Sequence, residues 1–216
     1  MKRRDYTLRH QRATETRAAI LRAAADVFAQ SGLAGARTET IARGAGVNKA
    51  LLYYYFKSKD ELYCAVLEEH LREFSRRGLE VLDAPGSARS LVLRYVSMHF
   101  DFISSRPYYP ALFQRMMMSG GPLLKRLVEE YFIPLSRKFT ALIERGTRNR
   151  EFRKVDARHT AISLVALTVF YFSGANVIRE VSGVNPYSKL QLKRRKEGVL
   201  EFIRHGLFRD PKAWGQ

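Results

Sequence analysis

The sequence predicts an all-α protein in which a small N-terminal unit of three helices, the last two forming a helix-turn-helix, precedes a larger helical domain. Two patterns predict it. Apolar residues recur three and four positions apart, as in Ile20, Ala24, Val27 and Phe28, or Leu91, Tyr95, Met98 and Phe102. Breaker clusters separate such segments, the clearest being Asp83-Ala84-Pro85-Gly86-Ser87 and Ser119-Gly120-Gly121-Pro122. At 216 residues, 46% hydrophobic and 12% aromatic, the chain is globular and long enough for a sizeable core.

Residues 1–13 are basic without apolar periodicity and read as a flexible arm, in which Lys2, Arg3, Arg4, Arg9 and Arg12 suit a minor groove. No apolar stretch follows these basic residues, so a secretory signal is not expected. The first helix is expected from about Thr14 to Ser31, stopped by Gly32. Thr38 is the expected N-cap of the second, whose small apolar face is Ile41, Ala42 and Ala45. Gly46 permits the positive φ of a sharp turn, with Val47 plugging it from below. Asn48 caps the third helix, which turns Leu52 and Phe56 inward and leaves Lys49, Ala50, Tyr53 and Tyr54 outside. A helix this short holds only if its neighbours brace it. Its outer face of one cation and two phenols suits a phosphate-lined groove.

Ser58 and Glu61 form an expected capping box at the start of a helix running to about Leu82, with Lys59 in its first turn. Beyond the break at 83–87, helices are expected over Leu91–Ser104, Ala111–Met118 and Leu123–Thr147, the last kinked at Pro134. Asp156 caps a helix whose stretch from Ala161 to Ile178 carries no charge in 18 residues. Ser163, Thr168, Ser173, Gly174 and Asn176 interrupt that stretch, and no second segment joins it, so it reads as buried on several sides, not as a membrane span. Pairing with a second copy buries it most readily. A last helix, about Arg194 to Phe208, offers Val199, Phe202, Ile203 and Leu207 as the complementary face.

The 38 Lys+Arg against 21 Asp+Glu give a formal charge of +17, which favours a polyanionic partner. Residues 1–60 hold 12 basic and 5 acidic groups, a net +7, so +10 lies further on. The single Cys64 excludes an internal disulfide and fits a reducing compartment. His10, His70, His99, His159 and His205 are scattered without a metal-ligand spacing, and no catalytic constellation or dinucleotide fingerprint is present. No enzyme activity, metal or cofactor is therefore expected. Aromatic and methionine density in the C-terminal part suggests an interior able to hold an apolar molecule, with Met98, Phe102, Phe113, Met117 and Phe170 as candidate lining.

The segment from Thr16 to Leu67 resembles the DNA-binding domain of the tetracycline-repressor (TetR) family. Thr16-Arg17, Ile20-Leu21, Ala24, Phe28, Gly32, Thr38, Ile41-Ala42, Ala45-Gly46-Val47, Leu52-Tyr53, Phe56, Lys59 and Leu62 carry the likeness. Ala50 departs from it, since the family often has Gly there. The resemblance implies a cytoplasmic, ligand-responsive repressor of a palindromic operator. Its domains would be a helix-turn-helix over 14–60 and an effector-binding, dimerising domain over 61–216. Homodimerisation would use the helices near 156–180 and 194–208. Tyr53, Lys59 and Thr38 would then hold phosphates of double-stranded DNA, while Lys49, Tyr54 and Ala50 meet base edges and Asn48 starts the helix that carries them. The rival reading is a basic helical protein that binds nucleic acid or acidic membranes without sequence choice.

Overall fold

A computed structural model describes residues 2–106 and 108–210, with side chains described for 11–106, 108–118 and 120–210. Among the described residues the chain is helical without a strand, apart from one isolated bridge between Phe152 and Phe208. The packing divides it into two compact units that do not follow chain order. The first comprises the chain up to His70 together with Ala111–Leu123, and the second comprises Leu71–Pro110 and the chain from Leu124 onward.

In the first unit, α1 covers Lys2–Gly35, with its regular path broken at Gly32 by φ 67° and ψ −179°. Residues 2–13 are therefore helical where an arm was expected. No Pro or Gly interrupts them, and Gln11 bonds Glu15 one turn on. The side chains of Lys2, Arg3, Arg4 and Arg9 lie outside the described residues. Ile20, Ala24 and Phe28 recur every four positions and are fully buried. Phe28 meets Tyr63 edge-on at 5.1 Å, tying α1 to α4 (Lys59–Leu82). Between them stand α2 (Thr38–Gly44) and α3 (Lys49–Tyr55). Part of α6 (Tyr109–Ser119) also belongs to this unit, and its Arg115 covers Gly32 so closely that a Cβ there would collide with the guanidinium.

The second unit is built on α5 (Ala88–Ser104), α8 (Ile133–Arg148), α9 (Ala157–Ser173) and α11 (Lys189–Leu207), where α5 packs on α8, α9 and α11. Its core contains Tyr95, Phe102, Phe139, Ile143, Leu164 and Phe172. Three expectations change here. The helix expected over 123–147 is α7 (Gly121–Leu127), a π-helical turn at Val128–Phe132, and α8. Pro134, in the first turn of α8, has no N–H to give and its ring crowds the carbonyl four residues back, so the ladder widens just before it. The uncharged run at 161–178 is two helices, α9 and α10 (Ala175–Ser182), bent by 67° at Gly174. No single helix among the described residues is long and apolar enough to cross a membrane, although that bent pair has the length and composition. Finally, Val199, Ile203 and Leu207 of α11 are buried, while Phe202 is 65% exposed.

Backbone geometry at the end of α8 also departs from the usual. Asn149 caps the helix, and Arg150 then sits at φ 60°, the left-handed position where glycine is the common occupant. Just before it, Gly146 lets Phe152 and Ala88 approach, since a Cβ there would meet the Phe152 ring and come within 2.9 Å of Ala88.

Candidate nucleic-acid interface

The turn between α2 and α3 is made by local chemistry. Gly46 takes φ 68°, and the Val47 N–H closes onto the Ala42 carbonyl at 3.0 Å. Asn48 Oδ1 accepts the Leu51 N–H at 2.7 Å, which fixes where α3 begins. Leu52 is fully buried and Phe56 nearly so, with the Arg17 guanidinium 5.3 Å from the Phe56 ring centre. This anchoring leaves Lys49, Ala50, Tyr53 and Tyr54 exposed together, Tyr54 by 80%.

The residues predicted to meet DNA fall into two groups. Lys49, Ala50, Tyr53 and Tyr54 share the outer surface of α3, while Thr38, Asn48 and Lys59 serve the frame. Thr38 does not cap α2; Arg37 stands at the cap, without a side-chain bond. Inside the first turn the Thr38 hydroxyl is buried and lies 3.5 Å from the Tyr53 hydroxyl, so it orients that phenol. Lys59 donates from Nζ to the carbonyls of Ala34 and Ala36, both at 3.2 Å, and so closes the loop after α1. Ser58 Oγ accepts the Glu61 N–H at 3.0 Å as expected, but the Glu61 carboxylate accepts from Lys57 N–H at 2.9 Å, one residue before the reciprocal bond of a capping box.

One partner was not foreseen. Glu39 on α2 pairs with Lys49 on α3, which lowers the Glu39 pKa and raises that of Lys49. Ten positions separate the two, outside any one-helix spacing, so only the folded turn brings them together. Both remain largely exposed, and the Lys49 ammonium also lies 5.9 Å from the Tyr53 ring centre.

The candidate effector residues are divided between the two units. Phe113 and Met117 belong to the first unit, whereas Met98, Phe102 and Phe170 belong to the second. Phe170 is 72% exposed because α9 turns Leu164, Thr168 and Tyr171 inward instead. Met117 is 45% exposed, and Met116 is the buried member of that methionine run. Phe102 is sealed between Phe74 at 5.2 Å, Tyr109 at 5.7 Å and the Arg106 guanidinium at 4.0 Å. In the core of the second unit lies a buried polar pair, His99 and Thr168. Thr168 donates its hydroxyl to the Val165 carbonyl at 2.7 Å, so across 2.9 Å its oxygen accepts from His99 Nδ1–H. Burial holds the His99 pKa down at about 4, and the neutral ring packs 5.0 Å from Phe74. Its position, four after Tyr95 and three before Phe102, places it on the apolar face of α5 and was the available signal.

Residues 20–66 match the family of bacterial regulatory proteins, tetR family, and residues 89–203 match the tetracyclin repressor-like C-terminal domain. The HTH-type transcriptional regulator RutR of Escherichia coli (strain K12) is 30% identical over 189 residues, spanning 88% of this chain and 89% of its own. The HTH-type transcriptional repressor NicS of Pseudomonas putida is 28% identical over 212 residues, 94% of this chain and 95% of its own. Among solved structures, the ketosteroid transcriptional regulator KstR2 of Mycobacterium tuberculosis shares the fold with a TM-score of 0.75 at 19% identity, over 90% of this chain and 95% of that one. With matches along most of its length and a helix-turn-helix whose outer face is free, the chain belongs to the TetR family of transcriptional regulators.

Proposed function

We propose that the protein is a cytoplasmic, ligand-controlled repressor that binds a palindromic operator as a homodimer and leaves it when a small apolar or aromatic effector binds. The observation that carries this is the exposed Lys49–Tyr53–Tyr54 face, held on a helix too short to stand without the buried Leu52 and Phe56. Tyr53, oriented by Thr38, is the phosphate anchor. Lys49, Tyr54 and Ala50 read base edges. Lys59 and Asn48 act one step back, by fixing the loop and the helix start.

The dimer reading is supported by large apolar side chains left on α9, α10 and α11: Ile162, Phe170, Val177, Val181, Leu190 and Phe202 are each more than half exposed. Two copies of such a face would exclude water from one another. The effector reading rests on the aromatic interior of the second unit, where Met98 and Phe102 remain candidate contacts, whereas exposed Phe170 and the first unit's Phe113 and Met117 are weaker ones. An effector acts only by favouring the form that does not bind DNA.

Selection of duplexes from a random pool tests the repressor reading. A symmetric sequence retained about a thousandfold over unrelated DNA is expected; retention of no preferred sequence would leave only charge-driven binding. On the selected site, Tyr53→Ala is expected to weaken operator and random DNA alike, whereas Lys49→Ala changes the preferred sequence. Equal losses of selectivity from both would overturn the division of roles. Glu39→Gln frees the Lys49 ammonium and removes a carboxylate from the same surface. It is expected to tighten random duplex binding and to steepen the log–log salt dependence by about one. Fluorescence anisotropy across a salt series reads this, and an unaltered slope would place the Glu39–Lys49 pair away from the DNA.

A further inference from the structure

We infer that the second unit holds a separate anion site, built for a small multiply charged phosphate compound, where the end of α8 meets the tail after α11. An open cavity of about 570 Å³ there is lined by Thr147, Arg150, Phe152, Arg153, Lys154 and Arg209. That size is ordinary for a small-molecule site. Four of the six lining residues are cations and none is acidic.

The cations come from two remote stretches of chain that the backbone ties together. Arg153 N–H donates to the Leu207 carbonyl at 2.9 Å, and Arg209 N–H donates to the Glu151 carbonyl at 3.1 Å. Arg153 Nε donates to the Phe208 carbonyl at 3.3 Å, and the rings of Phe152 and Phe208 stack at 5.6 Å. Three of the acids close to the cluster in sequence have bonds outside it. Glu151 Oε2 accepts the Arg89 N–H at 3.1 Å, Asp156 caps α9 through the His159 N–H at 2.8 Å, and Glu144 lies against Arg148 at 3.9 Å. Neither Arg150 nor Lys154 has an acidic partner among the described residues.

The backbone gives an independent sign. Arg150 is the non-glycine residue held at positive φ among the described residues, and it sits on the wall of this cavity. Glycine would occupy that position without strain. A strained residue at a ligand-sized cavity points to the side chain as the reason. Like charges held this close repel, and a phosphate cluster neutralises them while forming charge-assisted hydrogen bonds with the guanidinium forks.

Titration of the full-length protein with inorganic triphosphate, by calorimetry and by thermal shift near physiological salt, tests the site. Wild type is expected to bind and to melt higher in its presence. Arg150→Gly is expected to weaken triphosphate about tenfold, the usual loss for one charge-assisted contact, while its ligand-free melting temperature stays equal or rises. Lys154→Gln should weaken it similarly, and both variants should keep operator affinity. Lys49→Gln should do the reverse, losing operator and keeping triphosphate. The site is refuted if wild type does not bind triphosphate, or if Lys49→Gln rather than Arg150→Gly abolishes binding. A fall in operator affinity with Arg150→Gly would make the patch a DNA contact and equally overturn a small-molecule site.

Discussion

Replacing Phe28 with alanine is expected to cost about 3–5 kcal/mol and to abolish operator binding without touching any residue on the outer face of α3. Phe28 is fully buried, and its edge-on contact with Tyr63 links α1 to α4. In the same unit Ile20, Ala24, Ile41, Leu52 and Leu62 are also without exposure. A unit this small keeps only a modest surplus over its chain entropy, so a cavity of this size removes most of what holds α3 in place. Two measurements check it together: duplex binding by anisotropy and unfolding by urea. The second unit has its own core and should retain its transition. Stability lowered by under about 1 kcal/mol, less than a typical core deletion, with intact DNA binding, would show that α3 is braced from elsewhere.

The second large effect is expected on acidification. Unfolded histidine takes its proton near pH 6.5, whereas buried His99 resists until about pH 4. Above pH 6.5 both states are neutral and the contribution to stability is complete. As pH falls from 6.5 towards 4, the unfolded chain gains a proton that the fold refuses, so stability drains away and levels off below the folded value. The whole excursion is on the order of 3 kcal/mol. Among the described residues no ionisable group is hydrogen-bonded to the imidazole, whose polar contact is Thr168. His99→Gln keeps an N–H donor for that hydroxyl and removes the titration. Urea midpoints at pH 7, 6, 5 and 4.5 should therefore fall more steeply for wild type than for His99→Gln, the carboxylates contributing equally to both. Parallel curves would mean that His99 is protonated within the fold.

The helix-turn-helix was legible because local chemistry makes it. Gly46, Asn48, Leu52 and Phe56 act within a few positions of themselves, and the structure has each where the sequence required. The far part of the chain was legible only as helices. An uncharged, mostly apolar run shows no clear periodicity, so Gly174 interrupted it without marking a bend, and which side of α9 faces inward was undecided. Thus Phe170 was assigned to the interior and lies outside. Residues 2–13 illustrate the opposite difficulty, since charge without apolar spacing says nothing against a helix. Long-range encounters were beyond reach altogether: Glu39 with Lys49, Lys59 with the carbonyls after α1, and the guanidinium cluster joining residue 150 to residue 209.

The assignment of Ala111–Leu123 to the first unit has a consequence for biogenesis. A ribosome releases the DNA-reading helices early, yet the stretch that carries Arg115 over Gly32 emerges only after residues 71–110, which belong to the other unit. The reading head is thus completed in two instalments, and a gene fragment cut after residue 70 encodes a head without its last brace.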